Sequence, residues 1–210
     1  MRLFQLLSAI FVITFAVTNC RAQSGASSHE KYFGIQVIDQ ETQRGVPMVS
    51  LTTVDDVTYI TDNAGWVALH EPELAGSSVF FKIQSPGYDF PQDGLGITGV
   101  RLTIEPGKSS TIRMTRRNPA ERLYRITGRD LYLDTVRLGH EAPLKSPLIS
   151  GMVVGQDSIQ PILIGDKMHW FWGDTNRLSY PLGLFRTAGA VSRLPAEGGL
   201  KPETGIDLDY

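Results

Sequence analysis

One cysteine, Cys20, stands in a chain of 210 residues. A lone thiol excludes both a disulfide framework and a cysteine-based metal centre. The four histidines (His29, His70, His140, His169) are too scattered for an HxH or HExxH pattern, so no metal is expected and no cofactor is called for. Charge of one sign is also missing: 20 Lys and Arg face 22 Asp and Glu, for a net charge of -2. No field follows that would gather phosphates, and nucleic acid is not an expected partner. Neither a G-x-S-x-G elbow nor a Walker loop occurs. The run Gly94–Gly99 nearly spells G-x-G-x-x-G but has no helix after it to receive a phosphate. No Asn-x-Ser/Thr acceptor for N-glycosylation is present.

Long apolar runs are confined to the amino terminus. Arg2 precedes LFQLLSAIFVITFAV (Leu3 to Val17), and Cys20-Arg21-Ala22 follows. A basic start, an apolar middle and small residues at a cleavage position describe a secretory signal peptide over 1–22, cut after Ala22. As a helix, that run rises only about 22 Å, short of a hydrocarbon core of roughly 30 Å. The mature chain is therefore expected to be secreted or periplasmic, with no membrane span after cleavage. Without disulfides it has to be held by its core alone.

A polar leader, 23–31, gives way to period two. Phe33, Ile35 and Val37 alternate with smaller or polar residues, and six further alternating sets follow, ending at Ile112 and Met114. Such alternation marks half-buried strands. Turn chemistry falls between the sets, at Gln43-Arg44-Gly45, Asp62-Asn63-Ala64-Gly65, Ser85-Pro86-Gly87 and Glu105-Pro106-Gly107. The fold class expected for 32–117 is all-β, a seven-stranded antiparallel β-sandwich. The stretch Asp89 to Gly99 is longer and richer in glycine than a plain hairpin, and reads either as a ligand loop or as an ordinary surface connection.

Three pieces in order carry a resemblance over 32–116. They are Ile35-Gln36-Val37-Ile38-Asp39 with Thr42, Gly45 and Pro47; Thr61-Asp62-Asn63-Ala64-Gly65; and Ser85-Pro86-Gly87-Tyr88. Together they resemble the carboxypeptidase regulatory-like, or transthyretin-like, sandwich. That resemblance implies an accessory, non-catalytic domain related to carbohydrate-binding folds; fold by itself does not fix function.

Residues 118–147 lack a helical stripe and read as a connecting segment that packs on its neighbours. From 148 the alternation returns, with Gly165-Asp166-Lys167 as a hairpin turn. In His169-Trp170-Phe171-Trp172-Gly173-Asp174-Thr175, period two puts Trp170, Trp172 and Asp174 on one face. Rings that stack on a sugar, beside an acid that handles protons or hydroxyls, are what a sugar site requires. This stretch resembles the first blade of a five-bladed, glycosidase-like β-propeller. By that resemblance Asp174 is the catalytic candidate, with Trp170, Trp172, Asn176 and Arg177 as ligand-binding residues. The alternative for the tryptophans is core packing.

A propeller needs at least four blades of four strands, more than residues 117–210 can supply. The segment 148–210 is thus expected to be an incomplete propeller-like piece, truncated from a larger secreted protein, with residues past about 175 poorly anchored. Two functions are carried forward. The first is an exported, non-catalytic binding or scaffolding module with a glycan or polysaccharide partner. The second is the amino-terminal part of a glycoside hydrolase-like enzyme using Asp174, with Asp157, Asp207 or Asp209 as the second acid.

Overall fold

A computed structural model describes residues 29–197, 201 and 203–210. The signal peptide at 1–22 and most of the leader lie outside the described residues. Among the described residues the chain is all-β apart from one five-residue helix and two short 3-10 turns, and the three sheets there form no closed barrel.

The first sheet is ordered β4 (Trp66–Leu69), β1 (Phe33–Asp39), β8 (Ser109–Arg116), β6 (Tyr88–Asp89). The second is ordered β3 (Thr58–Ile60), β2 (Ser50–Thr52), β5 (Ser78–Gln84), β7 (Gly99–Thr103). Their inner faces share one core. Phe33, Ile35, Val37, Val67, Leu69, Ile112 and Met114 of the first sheet pack with Leu51, Phe81 and Ile83 of the second. Removing these side chains from water, at about 25 cal/mol per Å² of apolar surface, is the main stabilising term for a body without bridges.

Eight strands are present rather than seven. The added one is β6, which sequence reads as a turn and which pairs Tyr88 with Arg116. Nor is the pairing wholly antiparallel: β1 and β8 run parallel, from Gly34 opposite Ser109 to Asp39 opposite Met114. Side-chain alternation has period two in either orientation, so the pattern carries no trace of strand direction.

Glycine makes the turn from β3 to β4, which crosses between the two sheets, compact. Gly65 holds a positive φ of 75° while the Asp62 carboxylate accepts the Ala64 and Trp66 amides at 3.0 and 3.1 Å. Gly45 serves close approach and not the turn, since a Cβ there would lie 1.9 Å from the Ala64 carbonyl oxygen.

β1 is buried on both sides because the connector lies over its outer face; a Cβ on Gly34 would meet Leu138 at 3.3 Å. That connector contains a short helix, α1 (Leu133–Arg137), where sequence showed no helical stripe. Five residues cannot sustain a helix alone. α1 is fixed by tertiary bonds, as Thr135 donates its amide and its hydroxyl to Asp62 Oδ2, both at 2.7 Å.

The third sheet is a meander. β10 (Gln160–Ile164) turns through Gly165-Asp166 into the long β11 (Lys167–Arg177), which pairs with β12 (Arg186–Ser192). β9 (Val153–Gln156) joins β11 farther along the edge that β10 occupies. Gly165, at φ 64°, is the first central residue of the turn, where a two-residue hairpin favours glycine. Beyond β12, Val191 and Asp209 exchange amide bonds at 2.8 and 2.9 Å, so the chain past 175 is anchored, against expectation. Ile206, Leu208 and Tyr210 pack on the tryptophans of β11 and supply that anchorage.

Candidate functional site

β11 sets the geometry of the strand-end residues. Trp172 lies opposite Ala188, yet Thr175 lies opposite Arg186, so β11 carries one extra residue between them. This bulge inverts the alternation that follows. Trp170 and Trp172 face inward, at 8% and 4% exposure, and Thr175 takes the next inward place at 0%. Asp174 is turned out to solvent. The common face expected for Trp170, Trp172 and Asp174 is therefore broken at its last member.

The bulge is stapled by Asp157. Its amide donates to the Asp174 carbonyl at 3.2 Å, its carbonyl accepts the Gly173 amide at 3.1 Å, and its Oδ1 accepts the Asp174 amide at 3.2 Å. Asp157 and Asp174 are thus neighbours across one strand pair, with one oxygen of Asp157 committed to the backbone.

The tryptophan rings are committed to packing. Trp170 and Trp172 stack with centroids 6.2 Å apart, and Tyr210 lies 5.8 Å beyond Trp172. The Trp170 Nε1–H donates to Ser192 Oγ at 2.8 Å. Ile126, Met168, Ile206, Leu208 and Ala190 fill the remaining space around them. Arg177 lays its guanidinium 5.2 Å from the Tyr210 ring centre, and its Nε is buried without a hydrogen-bond partner. Asn176 is exposed and pairs through its backbone with Gly155. Among the described residues no ion pair links Arg177 to Asp174.

Several polar features involve long-range partners that sequence did not signal. Asp62, buried and receiving four hydrogen bonds, has its carboxyl pushed above the usual range by desolvation, which outweighs the donors from Thr135, Trp66 and Ala64. Next to it the Asn63 carboxamide exchanges two 2.9 Å bonds with the Arg125 main chain. Burial depresses the Arg125 guanidinium and raises the Tyr132 phenol, whose hydroxyl meets no well-placed partner. Arg44 bridges Glu121 and Glu203 at 3.1 and 3.4 Å beside a groove of about 750 Å³ between sandwich, connector and carboxyl-terminal segment.

At one end of the sandwich Arg122, from the connector, donates to Pro47 O, Ser85 Oγ and Pro86 O at 2.8, 3.0 and 2.7 Å. Its guanidinium also lies 5.6 Å from the Tyr88 ring centre. A groove of about 490 Å³ opens beside this clamp. Sequence held no hint of it, because arginines that cap backbone carbonyls and arginines that face solvent look alike there.

Among the described residues no group of three or more His, Cys, Asp or Glu is placed to hold a metal ion. No helix there is long and apolar enough to cross a membrane.

No family model matches the chain, and no curated protein does either. Among solved structures, a DUF3823 family protein from Bacteroides ovatus is similar over 77% of this chain and 88% of its own, at 8% identity and a TM-score of 0.31.

Proposed function

We propose that this chain is an exported, non-catalytic binding and scaffolding module with a glycan partner, built as a transthyretin-like sandwich joined to a propeller-blade-like sheet. The observation that carries the reading is the packing of Trp170 and Trp172. Both rings are spent on each other, Tyr210 and Leu208, which makes the aromatic strand end a core and leaves no open stacking platform beside Asp174. The connector, bonded to the sandwich through Asp62, Asn63 and Arg122, supports a scaffolding role. The blade likeness draws support from the meander and from the reverse face of β10 and β11. There Ile162, Ile164 and Phe171 stay about half exposed, as on a sheet that a neighbouring blade covers.

The test is retention of the full chain on an array of glycans, followed by product analysis of each retained glycan. Retention without new reducing ends is the expected result; turnover overturns it. One observation favours the enzyme reading, the adjacency of Asp157 and Asp174 at the bulge. If that pair acts in glycoside cleavage, Asp174→Asn abolishes the turnover; unchanged turnover removes Asp174 from the chemistry.

A further inference from the structure

We infer that the open end of the sandwich, between the end of β5 and the segment that follows β6, is the glycan subsite, and that it takes a neutral, hydroxyl-rich ring. The inference rests on the reading of the chain as a glycan-binding module and says where and by what chemistry it binds.

The groove there, about 490 Å³, is of the size that holds small ligands. Phe90, Gln84, Gln92 and Thr98 line it, with Asp89 at its side. Phe90 is half-buried against the core and supplies apolar aromatic surface, which suits the C–H face of a sugar. The carboxamides of Gln84 and Gln92 and the hydroxyl of Thr98 make no side-chain hydrogen bond among the described residues. They leave donors and acceptors free for vicinal hydroxyls. Asp89 is neutralised by Arg117 at 3.1 Å, so the groove offers no unpaired charge to a charged ligand.

The walls are held in place before any ligand arrives. Gln92 and Thr98 bridge, and Asp93 Oδ1 accepts the Leu95 and Ile97 amides at 2.9 Å each, which makes the long connection an ordered hairpin. On the opposite wall Arg122 pins Ser85 and Pro86. Ile83 and Met114 of the core form part of the lining. A site whose polar groups are fixed loses less entropy on binding. The extra length of Asp89–Gly99, unexplained by turn chemistry, is what builds this wall.

The experiment is calorimetric titration of the full chain with neutral gluco-, xylo-, manno- and galacto-oligosaccharides and with oligouronates. Binding of at least one neutral oligomer, weakened about tenfold or more in Gln84→Ala/Gln92→Ala and in Phe90→Leu, is expected. Circular dichroism establishes that each variant is folded. Neutral binding that survives the double glutamine variant overturns the subsite while leaving the module standing. Preference for oligouronates overturns the neutral class. Silence toward every oligomer overturns the module reading itself.

Discussion

Thr135 gives both its amide and its hydroxyl to a single oxygen of Asp62, each at 2.7 Å, and so ties the connector helix to the turn that carries the chain from β3 to β4 of the sandwich. The two residues are 73 positions apart, and the bond they make is fully buried. Thr135→Val removes one of two donors to a buried carboxylate oxygen. The expected loss is about 1.5–3 kcal/mol, read as a lower urea midpoint.

The same carboxylate sets a pH dependence. Burial raises the Asp62 pKa above its ordinary value, so the folded chain holds that proton more tightly than the unfolded one. The stabilisation from protonation is fully present below the unfolded value of about 4 and is lost as pH rises through the raised folded value. Asp62→Asn is expected to flatten this part of the stability curve. Melting temperature against pH, taken as the difference between wild type and variant, isolates the group from the other carboxylates.

How far the sequence could be read depends on what each signal encodes. Alternation placed nearly every sandwich strand, because a half-buried strand has to show period two. The Asp62–Gly65 motif marked a turn, and the positive φ of Gly65 and the self-bonding carboxylate of Asp62 found there are local properties of such a turn. The parallel pairing of β1 with β8 was invisible, since direction leaves no mark on alternation. The bulge in β11 was equally hidden. One inserted residue in a regular Trp-Phe-Trp-Gly-Asp-Thr run is set by its pairing partners at Ala188 and Arg186, and it moved Asp174 from the inner to the outer face. Arg122 and Thr135 were missed because their partners are distant in sequence.

Close approach of Gly45 and Gly65 gives a sharper test of how the β3–β4 turn packs on the segment that follows β1. A Cβ on Gly65 would lie 2.3 Å from Val37 O and 2.7 Å from Gly45 Cα, in a backbone conformation that already disfavours side chains. Gly65→Ala therefore combines a steric clash with strain of about 1–3 kcal/mol, and is expected to yield a chain that unfolds at much lower urea. Gly76→Ala, at φ 78° but with open space around it, carries the strain without the clash. The gap between the two variants measures the contact itself.

The tryptophan ladder answers to a different substitution. If Trp172 is core, Trp172→Ala opens a cavity between Trp170 and Tyr210 and costs about 3–5 kcal/mol. Trp172→Phe keeps most of the volume and costs less. In neither variant, under conditions where it stays folded, is glycan affinity expected to change. A large loss of affinity with unaltered stability would return this residue to the ligand site.

Tyr210 closes the ladder and should titrate late. Its hydroxyl donates to Gln156 Oε1 at 2.8 Å, and burial pushes its pKa up to about 12 in spite of the nearby Arg177. Tyr59 is also raised to about 12, first by burial and then by the carboxylate of Glu71. For both phenols the folded value exceeds the unfolded value of about 10, so their stabilising contribution is whole below that pH and disappears as pH climbs through the folded value. Spectrophotometric titration of the native chain should show these two tyrosines ionising well above pH 10, with alkaline unfolding close behind. Tyr210→Phe should delete one late step and cost about 1 kcal/mol for the lost hydrogen bond. If the step that the substitution removes is instead an early one near pH 10, Tyr210 is not packed against Trp172, and the anchoring of the carboxyl-terminal segment on the third sheet falls with it.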